Sequence, residues 1–179
     1  ALNWSLVLLI CATCAAGFLM LYSVAGGPLD PWARPQMIRF GIGMAGMLAV
    51  GLIPIRFWHR VSPLAYGVAL ALLVLVEVMG TIGMGAQRWI DLGFMQLQPS
   101  ELMKVALVMV LAAYYARLDP AKVSRPLWML PPILLILVPA ALVLKQPNLG
   151  TALVLLMVGG AVMFLAGVSL WYYAAAAAA

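Results

Sequence analysis

The chain has 179 residues, 66% of them hydrophobic and 8% charged, with a net charge of +5. So few polar residues cannot make the shell that a water-soluble core of this size needs, which excludes an ordinary soluble domain and points to several membrane-spanning helices. The positive balance is not a nucleic-acid signal: nine of the ten Lys and Arg lie in or beside the breaks between apolar runs, where lipid headgroups attract them.

The first predicted span runs from Leu6 to Val24 without a charge. It is long enough to cross a bilayer, and no cleavage motif follows it. Cys11 and Cys14 fall inside it at CxxC spacing. No redox or metal context surrounds them, so they read as small residues facing lipid or a neighbouring helix. Gly26-Gly27-Pro28 ends this span, and the following loop carries Asp30, Trp32 and Arg34. The second span, Ile38 to Ile53, is rich in glycine, and Gly43 to Ala49 has spacing suited to a closely packed face. Pro54 stops it. Arg56, Trp58, His59 and Arg60 then read as an interfacial cluster, with His59 a headgroup contact or, alternatively, a proton relay. The third span is Pro63 to Gly80, with Glu77 near its far end as either a functional carboxylate or one reaching the interface.

The next stretch, GTIGMGAQRWIDLGFMQLQPSELMK over 80–104, differs from everything around it. It gathers Gln87, Arg88, Asp91, Gln96, Gln98, Ser100, Glu101 and Lys104 between glycines. Non-helical backbone at membrane depth is tolerated where it lines a wet cavity, so residues 81–99 are expected to form an extracellular or re-entrant polar segment. Pro99 and Ser100 open the fourth span, 100–116, with Ser100 as the expected cap. Glu101 and Lys104 are three apart and share a helical face. They form either a working pair or a purely structural ion pair.

A basic loop holding Arg117, Lys122 and Arg125 leads to the fifth span, 127–144, where Pro131, Pro132 and Pro139 imply kinks that neighbouring helices must accommodate. A second polar knot, KQPNLGT from Lys145 to Thr151, precedes the sixth span, 149–171, and Asn148 is placed to cap it. The loops after spans two and four carry five basic residues (Arg56, Arg60, Arg117, Lys122, Arg125), and those after spans one, three and five carry four (Arg34, Arg39, Arg88, Lys145). That asymmetry puts the amino terminus inside and both polar knots outside. The chain starts at Ala1 and ends in six alanines, so the sequence reads as a piece of something longer; the alanines read equally as native helix or as filler.

GAQRWIDLG, QPSELMK and KQPNLGTA, in this order and spacing, closely resemble the shape, elongation, division and sporulation family of membrane proteins. The likeness covers essentially the whole chain, and the KQPxLGTA form with PPxLLxLVPA upstream favours the rod-shape branch over the cell-division branch. The resemblance implies an all-α polytopic membrane protein, about six transmembrane helices being present from a fold of roughly ten. It further implies a glycosyltransferase of the bacterial cytoplasmic membrane that polymerises lipid II into glycan strands beside a class B penicillin-binding transpeptidase. The family's proposed catalytic base lies in a later loop, so no catalytic residue is assigned in this stretch. The family motif positions here are Arg88, Gln98, Glu101, Lys104 and Asn148, the last usually aspartate; they are the expected substrate-binding residues. No cofactor is expected, with assistance from a divalent cation left open.

The chemistry also stands apart from the likeness. Attack of a sugar hydroxyl on an anomeric carbon expels a lipid pyrophosphate, and fixed cations stabilise the charge that gathers on it. Arg88 would offer a planar fork to phosphate oxygens and Lys104 a point charge, with Glu101 keeping Lys104 charged and oriented. An apolar groove between spans would house the prenyl tail. Two other classes remain open: a carrier for the same lipid, since paired broken segments also occur in transporters, and a scaffold that only activates its transpeptidase.

Overall fold

The computed structural model describes residues 3–79, 81–83, 86–91 and 96–178, with the side chains of these except at 79, 81–83, 86–88, 91 and 176–178. The chain divides into two units, 1–55 and 56–179.

The first unit is a helix pair, α1 (Trp4–Val24) and α2 (Ala33–Leu52). The Asn3 carboxamide oxygen caps α1 by accepting the Leu6 N–H at 3.3 Å. The helix closes where the Gly26 N–H donates to the Ser23 carbonyl and the Gly27 N–H to that of Tyr22, as the Gly-Gly-Pro signal predicts. At 21 residues α1 is about 31 Å long, the thickness of a hydrocarbon core. Against α2 it sets an aromatic pair: Phe18 meets Phe40 edge-on at 5.6 Å. The close packing expected of the α2 glycines is therefore not met within this unit. A Cβ added at Gly41, Gly43 or Gly46 would touch nothing within 4 Å, because the bulky rings rather than the small residues carry the α1–α2 contact.

The second unit holds α3 (Ile55–Met79), a small sheet, α4 (Pro99–Tyr115), a 3-10 turn (Pro120–Lys122), α5 (Pro126–Lys145), α6 (Leu149–Leu165) and α7 (Leu170–Ala178). Helix α3 starts eight residues before the expected Pro63, so Arg56, Trp58, His59 and Arg60 lie on its opening turns rather than in a loop. Pro63 does not break it because the carbonyl it leaves without an N–H, that of His59, is taken by the Ser62 hydroxyl at 3.1 Å and the Arg117 guanidinium at 3.5 Å. Helix α5 uses the same device twice. Pro132 frees the Trp128 carbonyl, which accepts the Tyr114 hydroxyl at 2.7 Å; Pro139 frees the Leu135 carbonyl, which accepts the Tyr66 hydroxyl at 2.9 Å.

The polar segment forms an antiparallel meander of β1 (Thr81–Gly83), β2 (Ala86–Asp91) and β3 (Gln96–Leu97), pairing Thr81 with Trp89, Ile90 with Leu97 and Asp91 with Gln96. It is non-helical, as expected, and β2 rests on α4. The sixth span is shorter than the expected 149–171. It closes at Gly167, whose φ of +95° is costly for any residue with a Cβ; the Gly167 N–H reaches the Phe164 carbonyl and the Val168 N–H that of Met163. Helix α7 then starts afresh, tied down by Ser169 N–H donating to the Ser124 hydroxyl and Tyr172 donating to the Ser124 carbonyl.

The core of this unit is Leu73 from α3, Met103, Leu107 and Leu111 from α4, Val143 from α5 and Leu155 from α6, all fully buried. Helices α5 and α6 come close because Gly159 has no side chain: a Cβ there would sit 2.5 Å from Ile136 Cγ1. Among the described residues four helices, α1, α2, α3 and α5, are long and apolar enough to cross a membrane, and α6 is a shorter apolar helix of 17 residues. The protein is a multi-pass, all-α membrane protein. Gly159→Leu should lower stability by about 1–3 kcal/mol through overpacking against Ile136. Tyr66→Phe, which orphans the Leu135 carbonyl, should cost about 1 kcal/mol. Thermal unfolding of the detergent-solubilised full-length protein checks both; an unchanged midpoint for Tyr66→Phe would mean the Leu135 carbonyl has another partner.

Candidate functional site

Successive helices of the second unit alternate in direction. The carboxyl ends of α3 and α5 and the amino ends of α4 and α6 therefore share one end of the unit. Two contacts fix the carboxyl ends of α3 and α5 together. The Lys145 ammonium lies 4.0 Å from the Glu77 carboxylate. The buried Gln146 carboxamide donates from Nε2 to the Leu73 carbonyl at 3.1 Å, pinning the end of α5 to α3.

The amino end of α4 carries the first polar motif. Pro99 occupies the first helical position, where its missing N–H costs nothing, and Gln98 takes the cap position without a side-chain bond to the helix. Ser100, the expected cap, lies two residues past the cap position: it is buried at 1% exposure, with its hydroxyl unpartnered. Glu101 and Lys104 do share a face, with Lys104 Nζ 2.8 Å from Glu101 Oε2; Lys104 is the more enclosed, at 29% side-chain exposure against 55%. The backbone of Arg88 runs in β2, and its side chain lies outside the described residues, as do those of Gln87 and Asp91.

The amino end of α6 carries the second. The Asn148 carboxamide oxygen accepts the Thr151 N–H at 3.3 Å, so it caps the helix as predicted. Helix α6 packs on α4, yet among the described residues no hydrogen bond or ion pair joins Asn148 to Gln98, Glu101 or Lys104. The Glu77–Lys145 pair was not foreseen. Its sequence signal was opposite charges at the far ends of two spans running the same way.

Chemically, this end suits an anion. Two helix amino termini present unsatisfied N–H groups and the positive ends of their dipoles, with Lys104 and Lys145 beside them. An apolar groove of about 430 Å³ between α3 and α4 runs from Val61 and Met109 to Leu102, which adjoins Glu101. No group of three or more His, Cys, Asp or Glu among the described residues is placed to hold a metal ion.

The model of the FtsW, RodA and SpoVE cell cycle proteins matches residues 3–179. The chain belongs to this family. Its members include the probable peptidoglycan glycosyltransferase FtsW of Escherichia coli O6:H1, 37% identical over 90% of this chain and 41% of that protein. They also include the peptidoglycan glycosyltransferase MrdB of Escherichia coli K12, 32% identical over 94% of this chain and 45% of that one. The fold matches the crystal structure of the Thermus thermophilus rod shape determining protein RodA with a TM-score of 0.81 at 34% identity, over 94% of this chain and 55% of that one. It also matches a chain from a structure on the coordination of polymerization and crosslinking by a peptidoglycan synthase complex, with a TM-score of 0.80 at 36% identity, over 93% of this chain and 48% of that one. The chain spans about half the length of the curated FtsW and MrdB relatives it matches.

The Asn148 cap separates structure from charge. Asn148→Ala should lower stability by about 1 kcal/mol, and Asn148→Asp, which keeps the acceptor, should leave it within a few tenths of that of the parent. Thermal unfolding of the full-length protein distinguishes them, and equal losses for both variants would show that the cap does not matter.

Proposed function

We propose that this chain is part of a peptidoglycan glycosyltransferase of the bacterial cytoplasmic membrane, and that its polar end grips the anionic sugar-lipid lipid II. The observation that carries this reading is the 2.8 Å Glu101–Lys104 pair on the opening turns of α4. It places a fixed cation beside helix N–H groups, at the membrane end where a second helix amino terminus and Lys145 also lie. Such an arrangement stabilises a pyrophosphate as it departs. Glu101 aims the Lys104 ammonium, and Gln98 and Asn148 offer amide groups to the sugars. Arg88 is assigned a phosphate contact from its motif. The prenyl tail lies along the apolar groove that ends at Leu102.

The names of the FtsW and MrdB relatives support the activity. Identity to the two is similar, so the finer assignment to cell elongation rests on PPILLILVPA at 131–140 and KQPNLGTA at 145–152. A class B penicillin-binding transpeptidase is the proposed partner, supported by the likeness to a chain from a synthase complex that couples polymerization to crosslinking.

The test is polymerisation of lipid II by the purified full-length protein in the presence of moenomycin, which silences enzymes of the other polymerase class. Lys104→Ala should lower the rate by about 10²-fold, the typical effect of removing one fixed charge from a transition state, and Lys104→Arg should recover part of it. Glu101→Gln should lie between. Full activity in Lys104→Ala would sink the cation assignment. Loss of complex formation with polymerisation intact would favour a scaffold.

A further inference from the structure

The opposite end of the second unit carries a feature that lipid II chemistry leaves unused. A cleft of about 280 Å³ opens beside Arg117, where α4 and α5 meet near Pro63 of α3. Its walls are apolar: Val110, Ala113, Leu118 and Leu135. The Tyr114 hydroxyl, the polar group inside, is already committed to the Trp128 carbonyl at 2.7 Å. From Val110 to Arg117 the helical rise gives a depth of about 10 Å. At the mouth stand Arg117 and Trp128, with the Lys122 ammonium 5.4 Å from the Trp128 ring centre.

Charge at this end is one-sided. Arg56 and Arg60 on the first turns of α3, Arg117 after α4, Lys122 in the 3-10 turn and Arg125 before α5 make five cations. The sole carboxylate in these stretches is Asp119, which is occupied in capping the 3-10 turn through the Ala121 N–H at 3.0 Å. Among the described residues none of the five cations forms an ion pair. The guanidinium of Arg117 spends one donor on the His59 carbonyl at 3.5 Å, and among the described residues no other bond engages it.

We propose that this cleft binds one anionic glycerophospholipid, its phosphate on Arg117 and an acyl chain against Val110 and Leu135. A free phosphate would use the cations and have no use for an apolar shaft. A neutral lipid would use the shaft and leave the excess positive charge unanswered. A lipid that is apolar at one end and anionic at the other matches both, and basic pockets between membrane helices hold such headgroups elsewhere. Trp128 closes the mouth at the level where indole rings favour the headgroup layer.

The purified full-length protein in mild detergent is titrated with phosphatidylglycerol or phosphatidylcholine, and retained lipid is counted by native mass spectrometry. One phosphatidylglycerol should be held at least tenfold more tightly than phosphatidylcholine. Arg117→Gln should abolish the preference and Arg117→Lys keep most of it. Val110→Phe, which fills the shaft and leaves every cation in place, should weaken retention as much as Arg117→Gln does; it also decides the matter should Arg117→Gln fail to fold. Equal retention of the two lipids, indifference to Val110→Phe, or displacement by inorganic phosphate or a polyprenyl phosphate at matched concentration would each overturn the proposal.

Discussion

A backbone carbonyl without a partner has no water to turn to inside a bilayer, and this constraint governs the second unit. Of the four prolines inside helices here, Pro63, Pro131, Pro132 and Pro139, three (Pro63, Pro132 and Pro139) strip an N–H from a carbonyl that a side chain then meets. Each of those three carbonyls is met by a side chain, and in every case one of the donors comes from a different part of the fold: Arg117 in the turn after α4 for His59, Tyr114 of α4 for Trp128, and Tyr66 of α3 for Leu135. The prolines thus act less as breaks than as docking points, and their repair bonds stitch α3, α4 and α5 into one body around Leu73, Leu107 and Leu111.

That stitching positions the polar end. With α3 and α5 joined midway through Tyr66, the Gln146 amide can reach the Leu73 carbonyl and Lys145 can approach Glu77. Gly159 lets α6 lie close on α5, and so its capped amino end arrives beside that of α4. The charged groups at this end are therefore held by contacts made well within the apolar region.

Much of this was legible in the sequence, for reasons that differ by element. Hydropathy alone marks the apolar helices, since nothing else accounts for such runs. Glu101 and Lys104 were legible as a pair because helical spacing of three is a local property. Asn148 announced itself as a cap for the same reason. What escaped was tertiary. Pro63 looks like a helix start until Ser62 and Arg117 are seen to repair it. Gly167 sits in an apolar run that reads as continuous helix, and only its positive φ divides α6 from α7. The strand pairing of 81–83, 86–91 and 96–97 falls in a glycine-rich stretch with little alternation to betray it. Ser100 has the residue type of a cap, whereas Pro99 fixes the helix start and leaves the cap position to Gln98.

Asn148 seats the first turn of α6 without bringing a formal charge with it. Among the described side chains at that end, two ammonium groups stand against two carboxylates, an even balance. A dianionic guest arriving there disturbs the neutrality by its whole charge. Counter-ions from the aqueous phase must follow it in, so occupancy becomes coupled to ionic strength over the span of a Debye length.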